Sequence, residues 1–110
     1  MSNINLFTDE ARTQLIDQIK KLKNIDNIDN TIKLINKLKF APNNINISEN
    51  EIKLEYNNKN VDINIVISNN QFDLYMKSNN SKISSYNASI LEIVNNIEYN
   101  NNNNNNNNNK

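Results

Sequence analysis

Neither cysteine nor histidine occurs anywhere in the chain. This excludes disulfides, thiolate metal sites and thiol nucleophiles. It also removes the imidazole on which Ser-His and Cys-His catalysis and most zinc sites depend. Glycine is absent as well, so neither a phosphate-binding P-loop nor a dinucleotide fingerprint can be written, and any turn that needs positive φ must use asparagine. Tryptophan is missing and Pro42 is the only proline. No window approaches the ~18 consecutive apolar residues of a membrane helix. The first ten residues lack the basic region followed by an apolar run that marks a secretory signal. Formal charge of one sign is not in excess either: 12 Lys and Arg balance 12 Asp and Glu, so no global field favours nucleic acid or an anionic membrane. The expectation is a protein of the cytoplasm, or of the nucleus, without membrane insertion.

Asparagine is what the chain has in abundance, at over a quarter of its 110 residues. It pulls the mean hydropathy down to -0.79 although 36% of the residues are hydrophobic. It also concentrates in turns and in the C-terminal tract, leaving the apolar residues, mostly Ile, well patterned. The joint excess of Ile, Asn and Lys is what an AT-biased genome produces and carries no functional information.

Thr8 is an N-cap residue followed by Asp9 and Glu10, whose carboxylates suit the positive end of a helix. Ala11, Leu15, Ile19 and Leu22 then recur at helical spacing with Ile16 beside them, predicting a helix over Asp9 to Lys23 closed by Asn24 in place of glycine. Ile28, Ile32 and Ile35, flanked by Leu34 and Leu38, predict a second helix to Lys39, stopped by Pro42. The short link between them predicts an antiparallel hairpin.

From Ile45 the period changes to two. Ile45 and Ile47; Ile52, Leu54 and Tyr56; Val61, Ile63, Ile65 and Ile67; Phe72, Leu74 and Met76; and Ile83 alternate with polar residues, separated by Asn-rich turns of about four residues. Counting through the turns pairs Tyr56 with Val61, Leu54 with Ile63 and Ile52 with Ile65. The same counting pairs Ile67 with Phe72, Ile65 with Leu74, Ile63 with Met76, Ile47 with Ile52, and Met76 with Ile83. Every hairpin then sends its apolar side chains to one face. Asn87 or Ser89 caps a third helix bearing Ile90, Leu91, Ile93, Val94 and Ile97.

The expected fold is therefore α+β and two-layered: an N-terminal helical hairpin, an antiparallel meander of four to five strands, and a C-terminal helix packed on one sheet face (ααββββ(β)α). Residues 1–99 form one small domain, and residues 100–110 are expected to be a disordered poly-Asn tail, since the tract offers no apolar surface to offset its ordering entropy.

Candidate sites are few. The acids that could support paired-carboxylate chemistry are scattered over turns and polar faces, so no enzyme, cofactor or metal is expected. The oxygen-rich run from Asn24 to Asn30 lacks the glycine of a calcium loop, and Lys37 stands where the bidentate Glu would fall. Lys20, Lys21, Lys23, Lys33, Lys37 and Lys39 could line a basic edge on the helical hairpin for RNA, although acids interleave them. Tyr75 and Tyr86 fall on the outer sheet face, where aromatics stack bases in some RNA-binding sheets; Glu55, Asp62 and Asp73 beside them would repel phosphate. The expected function is a small non-enzymatic protein–protein interaction module, a subunit or adaptor of an intracellular complex whose partner is another protein or a second copy. RNA binding through the lysine-rich hairpin is the alternative.

Overall fold

The computed structural model describes residues 6–22, 28–58, 60–68 and 71–108, with side chains as far as residue 100. Helices α1 (Asp9–Lys20) and α2 (Ile28–Lys37) precede strands β1 (Asn44–Ile47), β2 (Glu51–Asn57), β3 (Val61–Ser68), β4 (Gln71–Ser78) and β5 (Lys82–Ser85), and α3 (Ile90–Asn108) follows. The strands form one antiparallel sheet in the order β1-β2-β3-β4-β5. This is the expected ααββββ(β)α arrangement with the fifth strand present.

Tight turns hold the meander in phase. Ser48 N–H donates to Glu51 O at 2.9 Å, Asn58 N–H to Val61 O at 3.2 Å, and Ser78 N–H to Ser81 O at 2.9 Å; Ser68 pairs with Gln71 in the third hairpin, β3–β4. Each closing pair lies ten residues after the one before, so every strand meets its neighbour with the same parity. At the turn positions that are described, asparagine does not serve as a left-handed glycine substitute. Among the described residues Asn87 alone has positive φ, at 58°, and it sits at the β5–α3 corner rather than in a hairpin.

One register differs from the count made on sequence. Tyr56 pairs with Ile63, Leu54 with Ile65 and Ile52 with Ile67, two residues away from the expected Tyr56–Val61 alignment. The cause is local: the Asn58 side-chain oxygen accepts the N–H groups of Asn60 at 3.1 Å and Val61 at 2.9 Å, drawing Asn58 and Val61 together as the closing pair. Because the shift is even, no side chain changes face. The other registers are as counted, with Ile67 opposite Phe72, Ile65 opposite Leu74, Ile63 opposite Met76, Ile47 opposite Ile52 and Met76 opposite Ile83.

The core fills the space between the sheet and the helices. Ile52, Leu54, Tyr56, Ile63, Ile65, Ile67, Phe72 and Leu74 from the sheet are buried against Leu15, Ile19, Leu34, Ile35, Ile93 and Ile97 from the helices and Leu38 just after α2. At ~1.5–3 kcal/mol for each large side chain removed from water, this layer is the main stabilising term. Ala11, expected in the core stripe of α1, is exposed.

The first two helices end sooner than the periodicity suggested. α1 begins as expected, with Thr8 Oγ1 accepting Ala11 N–H at 3.1 Å, but closes at Lys20 with Lys21 as its cap; the proposed cap Asn24 lies outside the described residues. α2 ends at Lys37 because the side chain of Arg12 reaches its last turn. The guanidinium donates to the carbonyls of Ile35 and Leu38, the latter at 2.9 Å, and to Phe7 O at 3.1 Å, and stacks 4.6 Å above the Phe7 ring. Carbonyls that a helix C-terminus leaves without a partner are thereby satisfied. Phe7 N–H donates to Lys39 O at 3.0 Å, and Leu6 bridges Phe40. The start of α1 thus lies at the end of α2, and the hairpin is antiparallel.

At the other margin Asp73 accepts Asn87 N–H at 3.0 Å, Ala88 N–H donates to Phe72 O at 2.7 Å, and Ser89 Oγ caps α3 by accepting Glu92 N–H at 3.0 Å. The anchored part of α3 ends at Ile97. Its helical backbone continues into the Asn tract as far as Asn108, where the sequence offers no further apolar side chain.

Tyr56 ties this hairpin to the sheet. Its hydroxyl donates to Phe40 O at 2.8 Å from a buried position. Burial pushes the phenol well above its ordinary value, outweighing the opposing pull of the Arg12 charge. A folded-state value raised in this way means that Tyr56 contributes full stability below the unfolded value of ~10 and loses it as pH rises beyond that. Denaturant melts from pH 8 upward are therefore expected to show alkaline destabilisation that is shallower in Tyr56→Phe. The variant is also weaker by ~1–3 kcal/mol at neutral pH, because Phe40 O loses its donor. Equal alkaline slopes in both proteins would contradict this role.

Candidate functional site

Of the six lysines proposed from sequence, the five that are described do not converge. Lys20 and Lys21 close α1, Lys33 and Lys37 lie one turn apart on α2, and Lys39 follows it; all five are exposed, while Lys23 lies outside the described residues. Arg12 marks the end of the hairpin where Lys37 and Lys39 stand. Lys20 is eight residues along α1 from it, about 12 Å up the axis at the opposite end. Exposed Asp9 and Glu10 share the Lys37–Lys39 end, and Asp17 and Asp29 are exposed on the two helices. The hairpin therefore carries alternating charge rather than a basic strip that could follow a phosphate backbone.

The outer sheet face is mixed in the same way. Lys53, Lys77 and Lys82 are interspersed with Glu51, Glu55, Asp62 and Asp73, and Lys77 stands opposite both Asp62 and Lys82. Tyr75 and Tyr86 do meet there, edge to face, with ring centroids 5.9 Å apart and planes at 83°. Desolvation, followed by Asp73, Tyr86 and Glu51, pushes the Tyr75 phenol above its ordinary value. Those negative surroundings disfavour a phosphate chain over the pair.

Among the described residues no group of acids is arranged to hold a metal ion, and no helix is long and apolar enough to cross a membrane. Of the oxygen-rich run, Asn24 to Asn27 lie outside the described residues, and Asp29 is an exposed first-turn residue of α2.

The sequence reading missed the margins of the helix-facing sheet surface. Three helices cover the middle strands and stop short of both edges. At the β5 margin Ile83 is 53% exposed and Leu91, on the first turn of α3, 68% exposed; Ser85 Oγ donates to Glu92 at 2.7 Å across the same corner. At the β1 margin Ile45 and Ile47 line an open groove with Ala11, Gln14, Leu15 and Gln18 of α1. Alternation identified Ile45 and Ile83 as inward-facing, but only the width of the helical layer decides whether an inward-facing residue is covered.

Comparison with known proteins returned no matching family model, no matching curated protein and no matching solved structure.

The dispersed lysines make a direct prediction. Titration of a fluorescent single-stranded RNA from about 50 to 200 mM salt should show no saturable binding at the upper end, and Lys33→Gln/Lys37→Gln should leave the traces unchanged. Saturable binding that falls steeply with salt and is lost in that variant would restore the hairpin as a nucleic-acid surface.

Proposed function

We propose that the chain is a non-enzymatic protein–protein interaction module, acting as a subunit or adaptor of an intracellular complex. The observation that carries this reading is the uncovered apolar margin formed by Ile83 of β5 and Leu91 of α3, both large and both more than half exposed. Single exposed apolar residues are common, but here one stands on an open edge strand and the other on the helical turn tied to that strand by the Ser85–Glu92 bond, offering side chains and main chain to the same partner. Supporting it, among the described residues the groups that catalysis would need are not gathered. The acids lie apart on helix surfaces and the outer face, and Tyr56, the most strongly perturbed phenol, is sealed in the core by its bond to Phe40.

The test is affinity purification of the tagged chain under native conditions, followed by light scattering of the eluate. The wild-type chain is expected to retain a stoichiometric protein partner, and Ile83→Lys and Leu91→Lys to lose it with unchanged far-UV circular dichroism. A chain that elutes alone, or one whose partner is indifferent to both substitutions, would count against the reading.

A further inference from the structure

Strand β1 is an edge without the usual protection. Asn44-Ile45-Asn46-Ile47 contains neither a charge nor a proline, whereas β5 at the far edge begins with Lys82. Natural edge strands are commonly blunted by such residues, because an open ladder invites another chain to pair with it. The Ser48–Glu51 bond sets the phase of the β1–β2 ladder. Alternation then directs the main-chain groups of Asn44 and Asn46 toward β2 and those of Ile45 and Ile47 outward. Between these two Ile side chains and α1 lies the groove of about 420 Å³, and none of its lining residues is charged. Ile45 is 40% exposed at its mouth.

The flank of α1 beside this groove has a definite polarity. Glu10, Gln14 and Lys21 lie four and seven residues apart, within one stripe of the helix surface, and all three are exposed. Lys21 keeps helical backbone angles (φ -83°, ψ -11°), so the stripe runs unbroken from acid through amide to base. Asp17 shares the stripe near its middle.

We propose that the β1–α1 margin is covered by a second copy of the chain, related by a twofold axis passing through Asn46. Under that axis β1 pairs antiparallel with its copy. Ile45 lies opposite Ile47 of the second copy on the helix side, and the two Asn46 amides meet on the outer side. The outward main-chain groups of Ile45 and Ile47 find their partners, and the two sheets become continuous. The same axis runs α1 antiparallel to its copy. Glu10 then faces Lys21 of the second copy at both ends of the contact, while Asp17 meets a Gln14 amide that can donate to it. Charge is what selects a second copy over an arbitrary strand. The uncharged groove and edge create no self-repulsion, and the acid end of α1 complements its own basic end. A contact of this kind closes at two chains and cannot propagate.

This inference uses the edge opposite Ile83 and Leu91, so the two margins can be tested independently. Sedimentation velocity over a concentration series should show a reversible dimer. Glu10→Lys and Lys21→Glu should each weaken it about tenfold, because two ion pairs are replaced by like-charge contacts. The double exchange Glu10→Lys/Lys21→Glu should restore it, and Ile45→Lys should abolish it with unchanged circular dichroism. All three positions are exposed, so folding is expected to survive. A chain that stays monomeric at every concentration, or a dimer whose strength is unmoved by the single charge reversals, overturns the proposal. A dimer lost on Ile83→Lys but not on Ile45→Lys also overturns it, while leaving the proposed function standing.

Discussion

Five strands can share one apolar face only if every connection between them preserves parity, and this constraint governs the rest of the molecule. A turn one residue longer or shorter would send the next strand's Ile residues to the solvent side and leave the helices covering Asn, Asp and Lys. The hairpins meet the constraint by repetition. Their closing pairs are Ser48 with Glu51, Asn58 with Val61, Ser68 with Gln71 and Ser78 with Ser81, each displaced by ten residues from the last. Side-chain oxygens reinforce them, as where Asn58 gathers the N–H groups of Asn60 and Val61. Short polar side chains that bond their own main chain replace glycine here, which explains how a chain without glycine can turn so tightly.

The helices are held to the sheet by apolar burial, but two polar side chains fix where the hairpin ends. Arg12, the chain's one arginine, binds three carbonyls from two segments and covers Phe7. No other residue type presents a planar fork of donors to several carbonyls at once, and a lysine in its place would supply a single point of charge. Tyr56 continues this junction into the sheet through Phe40. Together they join the start of α1, the end of α2 and the second strand, segments that are distant in sequence.

What could be read from sequence was whatever alternation and capping express locally: the element order, the inward-facing residues of all five strands, the Thr8 cap and three of the four registers. The β2–β3 register was missed because alternation cannot distinguish a two-residue slip, and the deciding contact was an Asn58 side chain with no signature in the apolar pattern. The helix ends were overestimated for a related reason. The apolar period continues through Leu22 and Leu38, while the chain leaves the helix where Lys21 caps α1 and where Arg12 takes the carbonyls of α2. No local pattern around Arg12 marks it as the residue that takes those carbonyls. For the candidate sites, the residue types were legible and their spacing in three dimensions was not. Six lysines within twenty residues suggested a cluster, but the antiparallel hairpin sets Lys20 and Lys21 at the end away from Lys37 and Lys39.

Both proposed surfaces lie at the margins of the sheet rather than in a pocket. Helical cover ends before β1 and β5 do, and that shortfall exists only if the strands have the faces assigned to them. The absence of cysteine makes those faces directly measurable. Single-cysteine variants along β3 should alternate in thiol labelling: Asn64→Cys and Val66→Cys react at rates set by local exposure, whereas Ile63→Cys and Ile65→Cys react only as fast as the domain unfolds. Equal rates along the strand, or faster labelling at 63 and 65, would contradict the one-faced sheet on which both proposed surfaces depend.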